Sequence, residues 1–327
     1  MTVSQAWSNE VFRVSTVTGA FAIKLFPPCL STHRREQLTA GIEFEASVLP
    51  AGLVTMPRPV TVDEHWLIEV DTPRGVRFAR CHEWVTGTPV TDRLDADLVR
   101  AAGRYLGVIH AMDRAGGDTS QLPRFDHARW ERAVHGAVQC SLSWADRLAD
   151  LTPLVRHLAA GLDVLRGQRR PMRLSHRDYD PKNTVIDASG RLVITDWDSA
   201  GPVLTATELV VAATSFGVTD ADVRGFVQAY RRAGGNATPA DQLALTAEVT
   251  DLDWLLRNIE ACLVGDPDHT QEQHQTAADL IAALPAHIAA LQGWADRSPQ
   301  STADYAAAFA PDGTSQRSRW CIGGRSV

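Results

Sequence analysis

The stretch LSHRDYDPKNTVIDASGRLVITDWDSAG, residues 174–201, gathers Asp178, Asp180, Asp187, Asp196 and Asp198 with His176 and Asn183. Around them lie apolar pieces that read as three short strands. Like charges held close raise one another's pKa and cost stability, so a divalent cation is the first compensator to expect. The residue types suit one. The Asn183 amide oxygen and the Asp196 carboxylate are hard oxygen ligands of the kind that hold Mg2+, and Asp198 is a third candidate ligand beside them. The Asp178 carboxylate is suited to accept a hydroxyl proton. Asp and Asn are also common turn residues. On that ground Asp187 with Gly190 reads as hairpin-turn chemistry, and Asp180 as a loop residue with no assigned role.

Sheet-like and helical segments separate along the chain. EVFRVSTVTGAFAIKLF predicts a β-hairpin turning at Thr18-Gly19. Ser31 or Thr32 can cap a helix over the following stretch, whose periodicity is interrupted at Gly41. HWLIEV and VRFARCHEWV read as two more strands around Pro73-Arg74-Gly75. From about Thr91 the pattern is mainly helical, with HARWERAVHGAVQCSLSWADRLADL expected as a helix and further helices on both sides of the 174–201 stretch. The expectation is an α+β chain of two lobes. Residues 1–87 form a small, mainly β N-terminal lobe, residues 88–296 a larger helical C-terminal lobe, and residues 297–327 an irregular tail.

Composition narrows the function classes. The 327 residues carry a formal net charge of −7, which argues against nucleic acid as a partner because phosphate backbones need a basic face. Cys29, Cys81, Cys140, Cys262 and Cys321 are scattered and form no paired motif, as expected in a reducing compartment. No apolar run approaches the roughly 18 residues that a membrane helix needs, and no leader pattern opens the chain. A cytoplasmic protein without membrane contact is expected.

His176-Arg177-Asp178 with Asn183 fits H-R-D-x-x-x-x-N, and RLVIT leads into Asp196-Trp197-Asp198. LSHRDYDPKN and VITDWDSAGP resemble the aminoglycoside phosphotransferase and choline kinase-like family, the small-molecule branch of the protein-kinase-like fold. The second motif reads Asp-Trp-Asp and not Asp-Phe-Gly, and SAGPVLTATELVVAA passes almost directly into a helix with Glu208 near its start. The resemblance covers about residues 8 to 295. It implies a two-lobed α+β fold and transfer of the γ-phosphoryl group of ATP or GTP, with Mg2+, to a small-molecule hydroxyl. Asp178 is then the catalytic base, and Asn183 and Asp196 bind metal, with Asp198 binding it or orienting those ligands. Lys24 in AFAIKLF matches the strand lysine that contacts phosphates. Its acidic helix partner is Glu45, with Glu43 the fallback. CHEWVTGTPV resembles the hinge strand, with His82 behind the adenine pocket or merely packed, and the backbones of Glu83 and Val85 on the adenine edge. Ser8 and Asn9 occupy the phosphate-loop segment QAWSNEVFRV, which lacks the family's glycine and which in relatives often follows a further strand or helix. Backbone N–H groups can cradle phosphate without glycine.

Substrate identity is less readable. Asp251, Asp253, Glu260, Asp266 and Asp268 form an acidic cluster that could meet a cationic ligand, or simply a solvated helix face. Trp254 and Asn258 could line a ring-binding cleft, or Trp254 could belong to the core; Trp130, Trp144 and Trp197 read as packing residues. The resemblance ranks an antibiotic-modifying kinase of the aminoglycoside type first. Second comes a metabolic kinase of the choline, homoserine or amino-sugar type. A catalytically weak nucleotide-binding regulator is the alternative from another class, and a protein kinase comes third.

Overall fold

The computed structural model describes residues 2–6, 9–27, 30–52, 54–73, 75–91, 93–237, 244–264 and 274–285. Strands β1 (Thr2–Ala6), β2 (Asn9–Ser15) and β3 (Ala20–Leu25) run as an antiparallel meander. The β2–β3 turn closes at Ser15 opposite Ala20, around Thr18-Gly19 as expected. A strand, β1, precedes the segment of Ser8 and Asn9; Ser8 itself lies outside the described residues. Helix α1 (Thr32–Val48) begins where the Ser31 hydroxyl accepts from the Arg34 N–H at 3.2 Å. It continues through Gly41 without a break. A Cβ there would lie 2.9 Å from the Ala200 carbonyl oxygen, so this glycine serves close approach and not helix termination.

β4 (Pro59–Val60), β5 (Ile68–Thr72) and β6 (Gly75–Glu83) complete a six-stranded sheet of order β1-β2-β3-β6-β4, with β5 also on β6. The β5–β6 hairpin turns between Thr72 and Gly75, as the sequence predicts. Next come β7 (Gly87–Pro89), α2 (Ala96–Ala111), β8 (Ala115–Asp118), α3 (His127–Gln139), α4 (Ala145–Asp150) and α5 (Thr152–Gly167). The chain then forms β9 (Pro171–Ser175), β10 (Thr184–Asp187), β11 (Leu192–Ile194) and β12 (Gly201–Val203). It continues with α6 (Thr205–Phe216), α7 (Asp220–Arg232) and α8 (Ala244–Val264), and a further helix, α9, covers 274–285.

The single helix expected over 127–151 is two. Ser141 adopts a left-handed backbone with φ 51°. The Leu142 N–H reaches back to the Ala137 carbonyl at 3.1 Å, which is the hydrogen bond that closes a helix end through a left-handed residue. That position usually holds glycine, so QCSLSW carries no visible stop signal. The short strands β7, β8 and β12 also escape a pattern reading.

Contacts divide the chain into two compact units. One unit comprises Met1–Gly116, Arg173–Val203 and Ala212–Asn236. It contains the six-stranded sheet, α1, the β11-β10-β7 sheet, and the pairing of α2 with α7. Along α2, Asp95 caps the first turn and Val99, Ala102, Leu106 and Ile109 are buried. The second unit comprises Gly117–Met172, Leu204–Val211 and Ala237–Val327. Its core joins Trp130, Trp144, Leu148 and Leu158 to Leu252, Ile259 and Leu280, from α3, α4, α5, α8 and α9. Trp130, Trp144 and Trp197 are all buried packing residues. Among the described residues, no helix is long and apolar enough to cross a membrane.

The α2–α7 seam depends on bare backbone. A Cβ at Gly103 would lie 2.2 Å from the Phe226 carbonyl oxygen, an atom that cannot rotate away. Gly103→Ala gains about 1 kcal/mol of helix propensity, but overpacking of this kind costs about 1–3 kcal/mol. With main-chain overlap the upper end applies, so the variant is expected to lose about 1–2 kcal/mol in a denaturant titration.

Candidate active site

The site grows from one strand pair. In the β3–β6 register Lys24 stands directly opposite Arg80, and Ala22 opposite His82. Directly paired residues share a face, and positions two apart keep it. Two cations are thus side by side, and Arg80 is 2% exposed. Burying like charges without partners is very unfavourable, so the surrounding elements must deliver carboxylates. α1 delivers one. Leu38, Ile42 and Glu45 lie on its buried stripe, and Glu45 is 0% exposed, while Glu43 is exposed to solvent. The segment after β11 delivers Asp196 and Asp198.

The pairing differs from the expected one. Glu45 does not pair with Lys24: it forms an ion pair with Arg80, and its other oxygen lies 2.8 Å from His82 Nε2. Lys24 Nζ instead sits 2.7 Å from Asp196 Oδ1 and forms a second, close pair with Asp198. Arg80 Nη1 donates to Asp198 Oδ1 at 2.6 Å. Burial alone would push the Lys24 ammonium down, but Asp198 and Asp196 outweigh it and hold it above its ordinary value. Burial likewise would raise Asp198, and Lys24 and Arg80 overcome it, keeping that carboxyl well below the usual carboxylate range. Asp198 is therefore buried between two cations, whereas the Asp196 side chain is 39% exposed. His82 is neither free nor merely packed, because its ring ends the Glu45–Arg80 cluster.

Asp196 itself is left-handed, with φ 58° and ψ 59°. A non-glycine residue there stores strain of roughly 1–3 kcal/mol, and buried neighbours hold it. Trp197, 1% exposed, packs on His176 with ring centroids 4.6 Å apart. The His176 ring nitrogen Nε2 lies 2.9 Å from the Thr195 carbonyl.

The loop from Asp178 to Asn183 is bonded to the same segment. Thr195 donates its N–H to the Asn183 carbonyl at 2.8 Å and its hydroxyl to the same oxygen at 3.0 Å. Asn183 Nδ2 donates to the Asp178 carbonyl at 2.8 Å, which leaves the amide oxygen as the end of that side chain open to a cation. Asp178, with its side chain 38% exposed, lies 3.1 Å from Lys182 Nζ. Burial would raise the Asp178 carboxyl, but Lys182 and a hydrogen bond from Asn183 together hold it below its ordinary value. Asp178 and Asn183 are thus bonded to Thr195, the residue before Asp196, whose carboxylate holds Lys24, so the four residues are joined through hydrogen bonds, an ion pair and one peptide link. Asn9 begins β2 and is half-buried. The Glu83 N–H donates to the Arg58 carbonyl at 2.9 Å, and Val85 is half-buried in the segment after β6.

A sequence model of the phosphotransferase enzyme family matches residues 2–244. The chain belongs to this family. It is a phosphotransferase of the protein-kinase-like fold with an alcohol group as acceptor. Among solved structures it is similar to a spectinomycin phosphotransferase in complex with ADP and spectinomycin, at 12% identity and a TM-score of 0.58 over 88% of this chain and 92% of that one. It is similar to a microcompartment-associated aminopropanol kinase, at 18% identity and a TM-score of 0.57 over 89% and 93%. An amicoumacin kinase in complex with AMP-PNP, Ca2+ and Ami aligns at 15% identity and a TM-score of 0.53 over 87% of each chain. At these identities the likeness is one of fold. No curated protein sequence matches the chain.

Two polar residues of the phosphotransferase's site were missed in the sequence. Arg80 lies in an alternating strand where it reads as solvent-facing; only the register opposite Lys24 exposes its role. Lys182 sits inside the HRDYDPKN motif itself, one residue before Asn183, and its charge was legible. Asp180 also gains a role: its side chain caps the short helix at Pro181–Asn183 by accepting from the Lys182 N–H. Asp187 is the hairpin residue expected, accepting from Ser189 and Arg191 while Gly190 takes φ 79°.

The acidic cluster has an internal partner. Arg129 on α3 donates to both Glu260 oxygens, at 2.7 and 2.8 Å, and to Asp253 at 2.6 Å. Asn258 donates to the Trp254 carbonyl at 2.8 Å, and Trp254 packs partly buried on the core. Asp253 and Glu260 therefore join α3 to α8 and are not free for a cationic ligand; Asp266 and Asp268 lie outside the described residues. Because the Asp253 and Glu260 side chains are 49% and 41% exposed, screening limits what they contribute. Arg129→Ala is expected to destabilise by about 1 kcal/mol, read as a small fall in melting temperature that shrinks further in high salt.

Proposed function

We propose that this phosphotransferase moves the γ-phosphoryl group of ATP or GTP to a hydroxyl of a small molecule, an aminoglycoside or other antibiotic in the first instance. The observation that carries the reading is the bonded network of Asp178, Asn183, Asp196 and Lys24. In the reaction, Asp178 accepts the hydroxyl proton while the acceptor oxygen attacks the γ-phosphorus. The bond from that phosphorus to the bridging oxygen breaks, and the nucleoside diphosphate leaves. Asp178 is suited to the task because Lys182 and Asn183 keep it a carboxylate at neutral pH. Lys182 adds a cation beside the reacting groups, and Lys24 orients the α- and β-phosphates.

The donor set fits Mg2+. Asn183 offers its amide oxygen and Asp196 an accessible carboxylate; a cation held by one or two protein oxygens completes its shell with phosphate and water. When bound, Mg2+ would neutralise phosphate charge. Asp198 is the further candidate beside them, as a ligand or as the residue that orients Lys24, which meets its Oδ2 while Arg80 meets Oδ1. The Glu83 and Val85 backbones serve the adenine edge, and Ser8 and Asn9 the phosphates. Residues 1–87 act as the nucleotide-binding lobe and residues 88–296 carry the catalytic loop and substrate site. The scattered cysteines, which form no paired motif in the sequence, support a cytoplasmic setting.

The test is ADP release with Mg2+ across aminoglycosides, other antibiotics, choline, homoserine and amino sugars. Asp178→Ala is expected to lower kcat by about 10²–10⁴-fold while leaving the affinity for Mg-nucleotide within a few-fold of wild type. Equal turnover in that variant would remove Asp178 as the base. A wild type that is stabilised by nucleotide yet turns over no acceptor would instead point to a binding protein. Lys182→Met is expected to lower kcat by about tenfold, with less effect on the KM for nucleotide, because the missing charge acts where phosphoryl charge develops.

A further inference from the structure

Arg80 is the most deeply buried cation of the site and stands outside the proposed chemistry. Its two arms go to different elements. Nη2 meets Glu45 of α1 and lies 2.7 Å from His82 Nε2, while Nη1 donates to Asp198 at 2.6 Å. Asp198 in turn holds Lys24, which also meets Asp196. A second contact joins the same two elements: the Gly41 backbone of α1 lies against the Ala200 carbonyl. α1 is thus fastened to the segment carrying Asp196 by close packing at one point and by a guanidinium at another.

We infer that Arg80 is the positioning residue for the nucleotide site: it links α1, through Glu45, to the Asp196–Asp198 segment, and so fixes the Asp198 carboxylate that holds Lys24 in place. The inference rests on the phosphotransferase reading and deepens it. Glu45 has no direct bond to Lys24, so its effect on the lysine must pass through Arg80 and Asp198. The planar guanidinium presents separate arms to the two carboxylates, Nη2 to Glu45 and Nη1 to Asp198, which the single point charge of an ammonium does not reproduce. The arrangement also fixes α1 by contacts internal to the protein.

The experiment combines Arg80→Lys, Glu45→Gln and Lys24→Met, singly and in pairs, with Mg-ADP binding by calorimetry, steady-state kinetics and hydrogen exchange. Arg80→Lys is expected to weaken Mg-ADP binding about tenfold and to lower kcat/KM for Mg-ATP by about 10–100-fold. The KM for the acceptor should stay unchanged, and exchange at residues 196–200 should accelerate. Glu45→Gln should couple strongly to Arg80→Lys, and its effect on nucleotide binding should largely disappear in the Lys24→Met background, since it acts through that lysine. Wild-type nucleotide affinity and kinetics in Arg80→Lys, below its melting temperature, overturn the inference. So does additivity of Glu45→Gln with Arg80→Lys. If Arg80→Lys does not fold, the charge-balanced pair Arg80→Met with Glu45→Gln takes its place under the same criteria; failure of both to fold reduces Arg80 to a structural role and also overturns it. A wild type that binds no Mg-nucleotide sinks the phosphotransferase reading itself, whereas unaltered binding in the variants sinks only the role of Arg80.

Discussion

Two cations face each other across one strand pair, and much of the site's architecture answers that constraint. Lys24 and Arg80 share a face of β3 and β6. Directly opposed like charges destabilise a sheet even at its surface, and here one of them is almost fully buried. Three carboxylates arrive to balance them: Glu45 from α1, and Asp196 and Asp198 from the turn after β11. The balance explains why a helix, a sheet and a strained turn meet at one place. It also explains why the carboxylates crowded between residues 174 and 201 do not repel the chain apart: Asp198 is internally paired, Asp187 bonds its own turn, and Asp178 leans on Lys182.

The cluster is not closed. Lys24 and Arg80 supply two positive charges against three negative ones, and Asp196 remains the accessible member. The excess negative charge sits where Asn183 turns its amide oxygen free. A buried ion network adds little net stability compared with a well-packed apolar core, and it is strongly destabilising when broken. What such a network supplies is geometry. Arg80 pairs with both Glu45 and Asp198, so the side chains left over for chemistry rest on buried, paired neighbours.

The strand-loop-strand frame of residues 174–201 was legible because each residue type there does its own local work. Asn183 and Asp178 are hydrogen-bonded within their loop, Asp187 and Gly190 make a hairpin, and the apolar runs become β10 and β11. The order of elements was legible for the same reason, since periodicity, caps and glycine turns are local signals. Glu45 was legible because Leu49 and Leu53 follow it at helical spacing, and it lies on the buried stripe of Leu38, Ile42 and Val48. What stayed hidden depends on pairs distant in sequence. Arg80 alternates with Ala79 and Cys81 as an exposed residue would, and only β3 as its neighbour reveals the burial. The expected Lys24–Glu45 pair was wrong for that same reason. Arg129, the partner of Asp253 and Glu260, is more than a hundred residues from either. Ser141 hid the end of α3 because it takes a backbone conformation that usually announces itself as glycine.

The division between legible and hidden follows the division between reaction and substrate. Phosphoryl transfer needs a base, a hard-oxygen ligand pair and a phosphate-orienting cation, and all of these sit on or beside one short frame whose hydrogen bonds are mostly local. Recognition of an acceptor draws on side chains from separate helices, and helical sequence specifies packing far more tightly than it specifies what an exposed side chain meets. Of the acidic patch that suggested a cationic acceptor, Asp253 and Glu260 are engaged by Arg129, a partner set by the packing of α3 on α8 and not by any local pattern. The proposed chemistry does not depend on that patch, because Asp178 in the role of base asks of a substrate only a hydroxyl within reach.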